Sequence, residues 1–150
     1  MSMKKMIELD DFAGIKKSII SGEDVNAVDR MGVTALMRAV VLSDETMVNW
    51  LLNKKAFVDQ VDSNGMSALH YAALHKALEI GKILIAHGAN VNLQDKKNGK
   101  TPIGYSIDPQ NMIFAKLLLQ HGAKTDIPNN RGITVQQAYG SYLNDQFIQI

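Results

Sequence analysis

Gln60-Val61-Asp62-Ser63-Asn64-Gly65-Met66-Ser67-Ala68-Leu69-His70-Tyr71-Ala72-Ala73, continued through Leu74 to Ile80 and closed by Gly81-Lys82-Ile83-Leu84-Ile85-Ala86-His87-Gly88-Ala89-Asn90-Val91-Asn92-Leu93, decides the fold. A turn signal, a short alanine-rich apolar segment, a longer apolar segment and a closing glycine follow one another. That order predicts a helix-turn-helix punctuated at both ends. The punctuation recurs on either side: Gly32, Gly65, Gly99 and Gly132 each shortly precede a hydroxyl residue, at separations of 33, 34 and 33 residues.

Working outward, Val28 to Asp59 is an earlier copy. Asp29-Arg30-Met31-Gly32 reads as a turn, Thr34 as N-cap of a helix over 35–40, and Thr46 to Asn53 as the second helix. Lys55 stands where the closing glycine would be, so it is expected either to bear left-handed strain or to end the helix another way. Residues 1–27 form a worn copy, with helices over 3–9 and 11–20 ended by Gly22. The copy from Gln94 to Asp126 is one residue longer in its turn, which accounts for the separation of 34. Thr101 should cap its first helix and Pro102 occupy the first helical position, where the missing N–H is harmless. Asp108-Pro109 keeps that helix short, and Met112 to Gln120 restores a strong one. From Ile127 the pattern decays, since Val135-Gln136-Gln137-Ala138-Tyr139 is polar where the other copies are apolar. Atypical ends are expected of a stacked array.

The residues resemble the ankyrin repeat family, with its 33-residue period and T-P-L-H-x-A motif. The motif stands here as Thr34-Ala35-Leu36-Met37-Arg38-Ala39, Ser67-Ala68-Leu69-His70-Tyr71-Ala72 and Thr101-Pro102-Ile103-Gly104-Tyr105-Ser106. The resemblance covers roughly residues 20 to 135. It implies an all-α ankyrin repeat solenoid of stacked helix-turn-helix units with β-hairpin-like turns. The expected organisation is one domain over 1–150, with an N-terminal capping repeat (1–27), repeats at 28–60, 61–93 and 94–127, and a degenerate C-terminal cap (128–150). Only the third copy has the proline and only the second the histidine, while Ser43 and Lys76 replace the family's glycine between paired helices.

Composition narrows the function. With 16 basic and 15 acidic residues the chain has no global electrostatic reason to bind nucleic acid or an anionic membrane. Cysteine is absent, which removes disulfides, thiolate metal sites and a cysteine nucleophile, and suits a cytoplasmic location. No apolar run is long enough to span a membrane. His87 and His121 occupy the same position in successive copies; a two-His site competes with ordinary helix-end residues, and no third ligand is evident. Asn98-Gly99-Lys100-Thr101 ends like a phosphate loop but lacks the earlier glycine, Gln94 standing in its place. No cofactor is expected.

What remains is a surface. In the family the ends of the first helices and the turn tips face the concave side, which here assigns Arg30, Met31, Val33, Val41, Leu42, Ser63, Asn64, Met66, Tyr71, Leu74 and His75 to a partner, against the competing expectation that the first helices tilt and bury some of them. Lys96, Lys97 and Lys100 add a basic cluster at one tip, able to meet an acidic partner or simply to solubilise a turn. The leading expectation is a non-enzymatic module binding an unidentified protein, as its inhibitor or chaperone. The alternative is a ligand-binding or enzymatic protein using the concave groove. Polar Gln136, Gln137, Asn144, Asp145, Gln146 and Gln149 argue against self-assembly through the last repeat, so a monomer is expected.

Overall fold

The computed structural model describes residues 1–147; Gln149 and the last residues of the expected C-terminal cap lie outside them. Nine helices are present among the described residues: α1 (Met3–Glu8), α2 (Phe12–Ile20), α3 (Ala35–Val41), α4 (Glu45–Asn53), α5 (Ala68–Leu74), α6 (Leu78–Ala86), α7 (Ile103–Ser106), α8 (Met112–Gln120) and α9 (Val135–Phe147). The first eight form four pairs. α3, α5 and α7 stack as one row and α4, α6 and α8 as a second, with the apolar core between them. Ala39, Ala72 and Ala73 are fully buried in the first row, where small side chains allow close helix approach. The core runs continuously from Met3 to Leu118, because no single pair can bury its own apolar face. The only bridge pairing outside the helices among the described residues joins Val28 and Thr34.

Capping follows the repeat. Thr34 accepts from Met37 N at 3.2 Å in the first row, and Asp11 and Asp44 accept from Gly14 N and Met47 N at 2.9 Å in the second. The turn between paired helices uses a left-handed residue at Asp10, Ser43 and Lys76, with φ of 56°, 55° and 57°, although none is glycine. Lys55 also adopts the left-handed conformation, at φ 68°, as its place in the repeat demands.

The third copy departs from expectation at its cap. Pro102 is already helical, with φ −51° and ψ −37°, but α7 receives no side-chain cap from Thr101. Gly104 N instead donates to the Thr101 carbonyl at 2.9 Å and Tyr105 N to that of Pro102 at 3.0 Å, a tight i→i+3 turn. The polar fourth copy is helical all the same. Thr134 and Gln137 exchange hydrogen bonds of 3.0 and 2.9 Å, a capping box that starts α9, whose Val135 packs against the core and whose Leu143 is buried.

His70 joins two repeats. Its Nε2–H donates to the Lys100 carbonyl at 3.0 Å, and its Nδ1 accepts from Ser67 N at 3.1 Å. Since a carbonyl cannot donate, the ring is the neutral Nε2–H tautomer. Burial holds the imidazole below its ordinary value of 6.5. The unfolded chain therefore takes up the proton first, so this contribution to stability is complete above about pH 6.5 and is lost as pH falls below it. Thermal melts should show the transition temperature falling between about pH 7.5 and 5.5, with the slope reduced in a His70→Gln protein. Equal slopes in the two proteins would assign the titration to another group.

Candidate protein-binding face

Each turn tip is built around one acid or amide. Asp29 accepts from Met31 N and Val33 N at 2.8 and 3.0 Å, Asp62 from Asn64 N and Met66 N at 2.8 and 3.1 Å, and Asn129 from Arg131 N and Ile133 N at 2.9 and 3.1 Å. Asp95 serves the longer third turn through Asn98 N and Lys100 N at 2.6 and 3.2 Å. Adjacent tips are then tied backbone to backbone: Ser63 N donates to Met31 O at 2.9 Å, Lys96 N to Asn64 O at 2.8 Å, and Asn130 N to Asn98 O at 2.9 Å. Three residues before each tip acid, Asn26, Asp59 and Asn92 accept from Phe57 N, Asn90 N and Lys124 N at 2.7, 2.9 and 2.8 Å. The tips are thus a hydrogen-bonded row, tied both at the turn and at its approach.

The residues expected to meet a partner fall into three settings. Arg30, Met31, Ser63, Lys96 and Lys97 are exposed at the tips, with Arg30 bound to Glu8 at 2.9 Å. Val33, Asn64, Met66 and Lys100 are half-buried there, the Lys100 ammonium lying 5.2 Å from the Tyr105 ring centre. At the ends of α3 and α5, Leu42 and Leu74 are 50% and 46% exposed, outside the core cluster. Val41 beside them is half-buried and His75 is exposed. Tyr71 is half-buried, stacks on His75 with ring centres 6.5 Å apart, and donates its hydroxyl to Asp62. Tyr105 repeats this bond to Asp95 at 2.8 Å. Burial, then the neighbouring carboxylate, raises the Tyr71 phenol; burial is also the main cause that pushes Tyr105 up to about 12. Both hydroxyls therefore stay protonated and donate.

Leu9 belongs with this set and was missing from the sequence reading. It is 54% exposed and caps α1 as Leu42 caps α3, 33 residues later. The repeat offset alone would have found it. Arg38 and Asp10 flank the same edge, joined by two bonds of 2.6 and 2.7 Å across the first repeat boundary.

Among the described residues, no group of three His, Cys, Asp or Glu side chains is arranged to hold a metal ion. His87 is exposed, its Nδ1 lying 2.9 Å from the Ile83 carbonyl in its own helix, and His121 is exposed. No described helix is long and apolar enough to cross a membrane. Neither the cleft between the third tip and α9 nor the shallow one between α6 and α8 is lined by His75 or Tyr105.

A row of paired helices with hydrogen-bonded turn tips defines a helical repeat protein. The family model for ankyrin repeats (3 copies) matches residues 6–95, and the chain belongs to the ankyrin repeat family. Ankyrin repeats are protein–protein interaction modules. The chain is 31% identical over 95 residues to the nuclear factor NF-kappa-B p105 subunit of Gallus gallus, covering 61% of this chain and 10% of that protein. It is 42% identical over 74 residues to neurogenic locus notch homolog protein 2 of Homo sapiens, covering 49% and 3%. It is also 40% identical over 78 residues to tyrosine-protein kinase Shark of Drosophila melanogaster, covering 52% and 8%. The chain spans a tenth or less of each of these relatives, so their whole-protein activities do not transfer to it.

Proposed function

We propose that this chain is a non-enzymatic module that binds a partner protein through its turn tips and the ends of its first-row helices, acting as a monomer in the cytoplasm to inhibit or chaperone that partner. The observation that carries this reading is the exposure of Leu42 and Leu74, with Leu9 and Met31, outside a core that is continuous without them. Apolar side chains held outward on a rigid row lose little conformational freedom when a partner covers them. The basic tip residues Lys96 and Lys97 would add charge complementarity at one end.

The test is the double substitution Leu42→Asp with Leu74→Asp. Capture of the partner from native lysate should be lost by tenfold or more, about 1.4 kcal/mol for each factor of ten. Helical circular dichroism should be unchanged and the melting temperature nearly so, because both side chains lie outside the core and Leu42 closes α3 through its backbone N–H alone. Retained capture by the folded double variant would refute the reading.

A further inference from the structure

The motif position that Met37 and His70 occupy in the first two copies is Gly104 in the third. Met37 and His70 are fully buried, and His70 reaches the Lys100 carbonyl of the next repeat. Gly104 has no side chain to place there, the Lys100 stem lies over it, and both line a cleft of about 450 Å³ between the third tip and α9. Apolar Ile127, Ile133 and Tyr139 line it, together with the cations Lys97, Lys100 and Arg131. No Asp or Glu lines it, and none of the three cations forms an ion pair among the described residues. The other end of the array differs: Arg30 and Arg38 are both neutralised, by Glu8 and Asp10.

We infer that this cleft receives an apolar residue with an adjacent carboxylate from an acidic segment of the partner, with Lys97, Lys100 and Arg131 holding the carboxylate and the vacated motif position taking the apolar group. The inference rests on the binding-module reading, and adds where the partner's charge goes. The cleft opens at the tips, in line with the row already described, which favours a partner segment over a free small molecule. Charge complementarity commits the ligand to an anion: Lys97, Lys100 and Arg131 repel a cationic analogue and give a neutral one no charge pairing.

The test uses the full chain and a defined probe, the capped dipeptide acetyl-phenylalanyl-glutamate amide, followed in ¹H–¹⁵N spectra through the glycine amides of Gly99, Gly104 and Gly132. Saturable shifts at these amides are expected. The glutamine analogue of the probe should bind about tenfold more weakly, as should the original probe to the Lys97→Gln/Arg131→Gln protein. Gly104→Met should abolish binding while leaving the melting temperature equal or higher, because a methionine fits this position in the first copy. A Cβ at Gly104 would lie 3.3, 3.4 and 3.5 Å from Lys100 Cβ, Cγ and Cδ, so the Lys100 stem must give by a few tenths of an ångström. Absence of binding to the unaltered chain, equal binding of the glutamine analogue, or binding undiminished by Gly104→Met would each overturn the inference. Phenylacetate binding as tightly as the dipeptide would overturn the peptide assignment in favour of a free carboxylic acid. The Leu42→Asp/Leu74→Asp protein should bind the probe normally, so failure here and failure of the inner-helix reading are separately visible.

Discussion

Gly65→Ala is expected to lower the unfolding free energy by about 3 kcal/mol, whereas Gly88→Ala lowers it by about 1 kcal/mol. Both glycines are left-handed, with φ of 76° and 86°, so both substitutions carry the conformational penalty of an L side chain there. They differ in what a methyl group meets. At Gly88 nothing lies within 4 Å, while at Gly65 the new Cβ would come 2.6 Å from Lys96 N, the atom that donates to Asn64 O and ties the second tip to the third. Backbone cannot yield as a flexible side chain can, so the tip ladder must part. Urea unfolding of the two variants measures the difference. Equal losses would mean that the period-33 glycines are kept for their dihedral alone and that the tips are not packed as described. Gly132, the last of the series, has nothing within 4 Å, and its alanine variant should behave like that of Gly88.

Phe114→Ala should remove about 4 kcal/mol, near the upper end for an aromatic truncation. Phe114 on α8 is the largest fully buried side chain, and its ring occupies the space over Gly81 of α6. A Cβ at Gly81 would meet Phe114 Cζ at 2.6 Å, so Gly81→Ala alone should also destabilise, by about 1–3 kcal/mol through overpacking. The pair is predicted to couple with a change of sign. In the Phe114→Ala background the Gly81 methyl fills vacated space and gains about 1 kcal/mol of helix propensity, so Gly81→Ala becomes stabilising. Chemical unfolding of the two single variants and the double variant decides it; additive losses would show that the ring and the glycine are not in contact.

Gly81 illustrates what a linear reading misses. In the sequence it is a glycine interrupting an apolar helix, a local weakness with no visible purpose. Its reason lies 33 residues away, in the ring that needs the room. The capping error at Thr101 has a related cause. Thr34 and Ser67 do cap their helices, and the same residue class at the same offset led to the same expectation, but Asp108-Pro109 leaves α7 only four residues, and its N–H groups bond to nearer carbonyls. Of the two endings open to Lys55, the left-handed one is present. On the candidate face, the sequence located the tips and helix ends by register. It did not see that Tyr71 is committed to Asp62, that Arg30 is committed to Glu8, or that Leu9 stands exposed beside them.

By itself, then, the sequence determined the period, the number and order of helix pairs, the positions of their stops and the family they belong to. These depend on interactions within a few residues: caps, left-handed turns and apolar periodicity, all written where they act. Only the tertiary structure decided which apolar side chains are left outside the core, how adjacent tips are bonded, and that a cleft lined by Gly104 and three cations lies between the third tip and α9. Those features arise between residues about one repeat apart. The stretch from Gln60 to Leu93 therefore specifies its own helix-turn-helix, but what that unit touches, and what it leaves uncovered, is settled by the copies stacked on either side.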